Sequence, residues 1–244
     1  MRYMDMIKHR MAHEKNALLV ACADKIAVRD HVRDRIGRVY LVPAYGYGYG
    51  KTNDIKVLAP YVAKPNNACG RMLAEYYHVD KQFVINTING WMDAPTFDGG
   101  KQWSYGQIQP GWIIEKMLYL DGKIPPVYRA FVFHGKCEMV QVYRYSGMMQ
   151  GKPRPDTVDC YFPDGRHIPQ KWHKYDMSGK PCCDLEDFVS ISEAVAVTDH
   201  VRVDFMRTDD GWKFSELTFY PHAGGAKIGW LDKYLGAKWG RYEV

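Results

Sequence analysis

Two stretches near the C-terminus constrain the fold more than anything else in this sequence. Val201-Arg202-Val203-Asp204-Phe205 and Lys213-Phe214-Ser215-Glu216-Leu217-Thr218-Phe219 alternate apolar and polar side chains on either side of Asp209-Asp210-Gly211. That is the pattern of a β-hairpin closed by a three-residue turn with glycine at the left-handed position. A pairing of Thr208 with Trp212 places Asp204 opposite Glu216 and Arg202 opposite Thr218 on one face, while Val201, Val203, Leu217 and Phe219 form the other. The apolar face is read as core. On the polar face two carboxylates stand ~5 Å apart at Cβ, an arrangement that destabilises a sheet unless something neutralises it. A bound Mg²⁺ or Mn²⁺, a shared proton, or an arginine such as Arg202 would each serve. The Thr218 hydroxyl favours the cation, since two carboxylates and a neutral oxygen suit a hard ion held together with a substrate phosphate. Two other readings of the pair are a solvated hairpin and a glycosidase acid and nucleophile.

The rest of the chain supplies a mixed α and β scaffold. Residues 1–40 read as mainly helical, with Ile26, Val28, Val32 and Ile36 on one face before Gly37. Tyr40 to Pro60 reads as an aromatic loop; its Tyr45-to-Thr52 run lacks the first glycine and the following helix of a P-loop. Tyr61 to Lys64 reads as a strand leading into the small-residue loop Pro65 to Gly70, whose amides could face a phosphate. A helix is predicted near 80–92 and a loop through Trp103-Ser104-Tyr105. Strands are predicted at Trp112 to Leu120, Val127 to His134 and Cys137 to Tyr143, then a Gly-, Pro- and Asp-rich loop or lid over 145–182 and a helix from Leu185 to Thr198.

Charge and cysteine content narrow the class. The formal charge of +5 is spread among alternating acidic and basic residues, which favours an anionic small molecule over nucleic acid. Six irregularly spaced cysteines make no disulfide framework for 244 residues and fit a reducing, cytoplasmic setting. Cys160, His167, His173, Cys182 and Cys183 lack zinc-site spacing and read as loop residues. The apolar run Ala17 to Ala23 before Asp24 is too short for a signal, and no stretch approaches the ~20 residues of a membrane span.

Taken in order, Asp24-Lys25, Val28-Arg29, Ile36-Gly37, Tyr40-Leu41 and Pro43, then Lys64, Asn66 and Gly70, Ile113-Ile114-Glu115-Lys116-Met117-Leu118, Tyr128-Arg129-Ala130-Phe131, and Arg202-Val203-Asp204 through Glu216-Leu217-Thr218-Phe219-Tyr220-Pro221 form a recognisable series. It resembles an ATP-grasp protein, and within that superfamily the TupA-like branch linked to teichuronopeptide synthesis. The resemblance runs from about Asp24 to Gly236. It implies an α+β fold in which two α+β subdomains clamp ATP, with a separate N-terminal domain minimal or absent because 23 residues precede Asp24. The corresponding division is a helical segment and linker at 1–60, a lid subdomain at 61–118 and a C-terminal subdomain with the metal site at 119–244.

By that resemblance Lys25 and Lys64 contact the ATP phosphates, and the loop carrying Asn66, Cys69 and Gly70 closes over them. Glu115, Lys116 and Leu118 form the adenine hinge, with Glu115 reading the base edge. Asp204, Glu216 and Thr218 hold Mg²⁺ or Mn²⁺, Thr218 standing where most relatives have Asn. Arg202 and Arg129 face the transferred phosphoryl group or the acceptor carboxylate, and the amides of His222 to Gly225 lie near the reacting carbonyl. The loop reads Asn67-Ala68-Cys69-Gly70 where relatives favour His-Gly-Ser-Gly. The implied reaction joins a carboxylate to an amine at the expense of ATP, with an amino acid and a uronic-acid-type surface polysaccharide or its precursor as the expected substrates and a homo-oligomer as the expected assembly. An ATP-grasp phosphotransferase, a sugar transferase and a non-catalytic glycan-binding protein using the seven Trp and eighteen Tyr are the alternatives.

Overall fold

The computed structural model describes residues 1–94, 102–149, 152–153, 155–182 and 185–240; Cys183 lies outside them. Helices α1 (Tyr3–His13), α2 (Ala17–Ala23) and α3 (Val28–Ile36) occupy the N-terminal stretch, as its apolar spacing predicts. Asn16 caps α2 by accepting from the Leu18 amide, and Gly37, at φ 101°, ends α3.

A four-stranded antiparallel sheet follows, built from β1 (Ala44–Tyr49), β2 (Tyr61–Pro65), β3 (Leu73–Glu75) and, after helices α4 (Lys81–Asp93) and α5 (Trp103–Gln107), β4 (Gly111–Lys116). Its order is β1-β4-β2-β3. Two expectations change here. The aromatic loop contains a strand, and Trp103 to Gln107 is a short helix. The strand was disguised by its glycines, whose need arises from a distant partner: a Cβ on Gly48 would lie 3.3 Å from the Trp112 ring, and one on Gly111 would meet the Gly48 carbonyl oxygen at 2.6 Å.

The larger sheet has six strands in the order β10-β9-β6-β5-β11-β12, comprising β5 (Val127–Phe133), β6 (Lys136–Arg144), β9 (Thr157–Tyr161), β10 (His167–Ile168), β11 (His200–Thr208) and β12 (Gly211–Thr218). A small ribbon, β7 (Met148–Met149) with β8 (Lys152–Pro153), projects between β6 and β9. The segment read as a loop or lid therefore contributes two strands to the main sheet. Its remainder is strapped down rather than loose. Asp159 is fully buried and accepts from the Ser178 hydroxyl and, at 2.9 Å, from the Gly179 amide, and the Val158 amide donates to the Asp176 carbonyl at 2.8 Å.

Apolar side chains divide into two cores. The larger takes Tyr3 and Ile7 of α1, Val28 and Val32 of α3, all four inner strands of the six-stranded sheet, α6 (Leu185–Val195) and α7 (Leu231–Trp239). The smaller packs Val84, Ile85 and Ile88 of α4 against Tyr61, Ala63, Trp112 and Ile114. The cleft between the two sheets holds the site.

Candidate active site

The hairpin forms with one change. Thr208 pairs with Gly211 across the two-residue turn Asp209-Asp210, and a bulge between Asp204 and Phe205 on one side and Glu216 and Phe214 on the other absorbs Ser215. Gly211, at φ 85°, allows the tighter turn, and the Thr208 hydroxyl donates to its carbonyl at 2.8 Å. The bulge restores the predicted register, so Asp204 still faces Glu216 and Arg202 still faces Thr218.

That register extends across the whole sheet. Cys160, Gln141, Arg129, Asp204 and Glu216 are successive directly opposed residues on β9, β6, β5, β11 and β12. Directly opposed residues share a face, so the five form one row. Arg202, one pleat away, donates through Nε to Asp204 Oδ1 and through Nη2 to Asp204 Oδ2, both at 2.7 Å. Its Nη2 also reaches Thr218 Oγ1 at 3.0 Å and Glu216 Oε1 at 3.3 Å. The neutraliser of the two carboxylates in this structure is thus the arginine. Arg129 adds a second cation, with Nε 3.2 Å from Asp204 Oδ2 in an ionic contact whose angle makes no hydrogen bond, and its guanidinium lies 3.8 Å from the centre of the Tyr143 ring.

The carboxylates respond differently to these surroundings. At Asp204, 1% exposed, burial raises the pKa against the pull of Arg202 and Arg129. At Glu216 burial also pushes upward, but Lys25, Arg202 and Arg129 together outweigh it and hold the carboxyl below its usual range. Glu216 Oε1 is shared by Arg202 and Thr218, and Oε2 has no hydrogen-bond partner among the described residues.

Lys25 approaches from the opposite wall. Its Nζ donates to the Ala68 carbonyl at 2.8 Å and its backbone amide to the Asn66 carbonyl at 3.3 Å. Burial lowers its pKa, with Glu216 opposing and Lys64 adding to the shift, so the three side chains share one electrostatic neighbourhood. Lys64 on β2 donates to Glu115 Oε2 at 2.8 Å, and Arg29 on α3 donates to Glu115 Oε1 at 3.1 Å. The Glu115 side chain is therefore turned away from reading a base edge and instead fixes the lysine. Arg29 stands in the sequence series beside Val28 without a role of its own; it lies four residues past Lys25.

Asn66 differs from its expected role as well. It is fully buried, donating to Asp24 Oδ1 and the Gln109 carbonyl, each at 3.0 Å, and accepting from the Gly111 amide at 2.7 Å. All its side-chain capacity in reach holds the loop to the sheet. Cys69 and Gly70 follow on the exposed rim, Gly70 at φ 69°.

Between the sheets lies an apolar cavity of about 220 Å³, lined by Val42, Val62, Met117, Leu118, Val127 and Met206 and reached by Lys64 and Glu115 at one end. Leu118 is 8% exposed and forms part of this wall. Lys116 keeps its side chain outside while its amide donates to the Pro43 carbonyl at 2.9 Å. An apolar cavity with Lys64 and Glu115 in its lining has the mixed character of a small-molecule site.

Residues 5–239 match the model of the TupA-like ATP-grasp family. The chain belongs to that family. Among solved structures, this TupA-like ATP-grasp chain is similar to a D-alanine–D-alanine ligase from Bacillus anthracis, with a TM-score of 0.50 and 14% identity over 91% of this chain and 64% of that one. An L-amino acid ligase from Bacillus licheniformis matches with a TM-score of 0.48 and 9% identity over 84% of this chain and 42% of that one. The likeness to the D-alanine–D-alanine ligase is one of fold, and the chain spans less than two thirds of either protein's length. No curated protein matches it in sequence. Among the described residues no helix is long and apolar enough to cross a membrane.

An ATP-grasp fold implies a divalent cation. Among the described residues no group of three or more His, Cys, Asp or Glu could hold one unaided. The donor chemistry nevertheless fits Mg²⁺, which uses one or two carboxylates and completes its shell with water and substrate phosphates. Asp204, Glu216 and Thr218 stand together, and Glu216 Oε2 is uncommitted among the described residues. Arg202 and Arg129 already offset the charge of both carboxylates, and Lys25 that of Glu216.

Proposed function

We propose that this chain is an ATP- and Mg²⁺-dependent carboxylate–amine ligase that works through an acyl phosphate. The observation that carries the reading is the facing of two charge sets across one cleft: Arg202, Arg129, Asp204 and Glu216 on the six-stranded sheet, and Lys25 and Lys64 on the other side. Adenine is assigned to the apolar cavity beside Leu118, and the triphosphate to the space between Lys64, Lys25 and Glu216.

A carboxylate and an amine do not condense unaided at neutral pH, so the acid must gain a leaving group. A carboxylate oxygen attacks the γ-phosphorus, and the phosphorus–oxygen bond to ADP breaks with its electron pair left on ADP. The amine nitrogen then attacks the carbonyl carbon, the carbon–oxygen bond to phosphate breaks, and the nitrogen loses a proton. Arg202 and Arg129 offset the negative charge that gathers on the moving phosphoryl oxygens. Lys64, held by Glu115, and Lys25, held by the Ala68 carbonyl, clamp the phosphates from the opposite side. A bound Mg²⁺ or Mn²⁺ would supply further charge neutralisation between Asp204, Glu216 and the phosphates. The family resemblance favours an amino acid and a uronic-acid-type surface polymer or precursor as the joined pair.

The test incubates purified protein with MgATP and a matrix of amino acids and uronic acids, following ADP and phosphate release and the product mass. Equal release of ADP and phosphate together with an amide product is the expected result. A phosphorylated product without free phosphate would replace the reading with phosphotransfer, and no nucleotide turnover or binding under any condition would remove it.

A further inference from the structure

Two histidines meet above the Arg202 row, and one of them is held in a fixed protonation state by a buried tryptophan. Trp172 is fully buried, with its ring 5.3 Å from Phe131, and Phe131 directly opposes Arg202 in the β5–β11 ladder. Its indole Nε1–H donates to His222 Nε2 at 3.1 Å. An indole nitrogen only donates, so His222 Nε2 must be an acceptor and the neutral ring carries its proton on Nδ1. Burial, Arg202, Arg129 and His173 all oppose protonation of this ring. His222 keeps an exposed edge while lying near enough to Arg202 and Arg129 to feel their charge, and its Nδ1–H has no hydrogen-bond partner among the described residues.

The backbone adds a second observation. His222 at φ 53° and Ala223 at φ 48° are both left-handed and lead into Gly224 at φ 70°. Left-handed backbone is disfavoured for a residue with a Cβ and open to glycine. Gly224 has a packing reason, because a Cβ there would lie 2.8 Å from the Met4 carbonyl oxygen. Position 222 adopts the same left-handed backbone, which histidine tolerates better than most residues with a Cβ.

We propose that His222 binds the acid substrate, its Nδ1–H donating to a carboxylate oxygen, with Trp172 as the positioning residue that fixes the tautomer. The inference rests on the carboxylate–amine reading and deepens it. A neutral donor suits this place: it orients the acid without adding a third positive charge beside Arg202 and Arg129. The same donor follows the oxygen as it becomes the carbonyl of the acyl phosphate and gathers negative charge under attack by the amine. It takes no proton itself.

The experiment is long-range ¹H–¹⁵N correlation spectroscopy on protein labelled at histidine, with His222 assigned by its disappearance in His222→Asn. The wild-type ring is expected to show the Nδ1–H tautomer and no proton uptake between pH 6 and 8. An Nε2–H tautomer, or protonation near pH 6.5, overturns the donor assignment whatever the nucleotide does. Trp172→Phe keeps a buried aromatic ring and loses the N–H, so the His222 ring should move toward the Nε2–H or charged form; an unchanged tautomer overturns the role of Trp172. Sodium acetate then serves as the carboxylate probe, with and without MgADP. A change in the Nδ1–H resonance position on adding acetate, but not on adding equal sodium chloride, is expected in at least one of these conditions, and no change in either overturns the carboxylate site. MgADP binding is followed separately by thermal shift, so a failure of the ligase reading is distinguishable from a failure of this one.

Discussion

Arg202 and Asp204, two residues apart on one strand, form a two-point ion pair at 2.7 Å for each bond with both side chains nearly shut off from solvent. The pair makes each member costly to remove. Asp204→Asn preserves shape but leaves Arg202 and Arg129 facing an amide, and breaking a buried pair from one side costs about 3 kcal/mol. Urea unfolding should show a loss of that size. Glu216→Gln should cost about 1 kcal/mol, because Glu216 is 29% exposed and shares Arg202 with Asp204. In thermal shift the Asp204→Asn protein should also lose the stabilisation that MgADP gives the wild type. Retention of both stability and the MgADP response would sink the assignment of this pair to the centre of the site.

Lys64 and Glu115 give a prediction about the nucleotide itself. The carboxylate holds Lys64 Nζ at 2.8 Å and Arg29 Nη1 at 3.1 Å, so it both places the lysine and spares it a search through rotamers. Lys64→Met keeps the stem and removes the charge, and should weaken MgADP binding by at least about tenfold, equivalent to ~1.4 kcal/mol. Glu115→Gln should weaken it less, since the lysine remains charged but loses its ionic anchor. Calorimetric titration of both variants measures the order. Equal affinities in all three proteins would remove Lys64 from the phosphate clamp.

How much of this was legible in the sequence depends on how far each cause lies along the chain. The carboxylate pairing was readable because a strand's period of two and a Gly-closed turn are local, and a one-residue error in turn length was cancelled by the bulge at Ser215. β1 was not readable, because Tyr-Gly alternation looks like loop until Trp112, more than sixty residues away, lies across its glycines. The contacts of Glu115 are unreadable for the same reason: its partners here, Arg29 and Lys64, come from two other elements. The strap over 172–180 carries one glycine and no regular period, and it is tied down by buried side chains, Asp159 and Trp172 among them, whose partners no periodicity announces.

His200 gives the acid sensitivity of the fold. It is fully buried, its Nδ1–H donating to the Val132 carbonyl at 2.9 Å and its Nε2 accepting from the Tyr3 hydroxyl at 2.8 Å. Burial first, then Arg10, lowers its pKa well below 6.5. The unfolded chain therefore takes up the proton that the folded chain refuses. Its contribution to stability is full above pH 6.5 and is lost as pH falls below that value, by about 1.4 kcal/mol per pH unit, until the folded pKa is reached. His222, also lowered, acts in the same direction, so the informative quantity is a difference between proteins. Denaturant unfolding at pH 7.0 and 5.5 should show a smaller loss in His200→Asn than in wild type. Identical losses would mean that His200 is charged when folded.

Two glycines with opposite surroundings test the packing of the small sheet. Gly111 opens β4, and a Cβ there would sit 2.6 Å from the Gly48 carbonyl oxygen and 3.0 Å from the Tyr49 ring, with backbone rather than a flexible chain end in the way. Gly111→Ala must push β1 off β4 or strain both, at about 2 kcal/mol. The displacement would also disturb Asn66, whose Oδ1 accepts from the Gly111 amide, and through it the loop that holds Lys25. Gly90 lies inside α4 with nothing within 4 Å of its missing Cβ. Alanine there loses less entropy on folding and favours helix, so Gly90→Ala should gain about 0.7 kcal/mol. Opposite signs in thermal unfolding, with MgADP affinity reduced only in Gly111→Ala, would tie the close approach of β1 and β4 to the geometry of the phosphate loop. A neutral Gly111→Ala would show that the two strands are free to separate without cost, and that the loop does not depend on their contact.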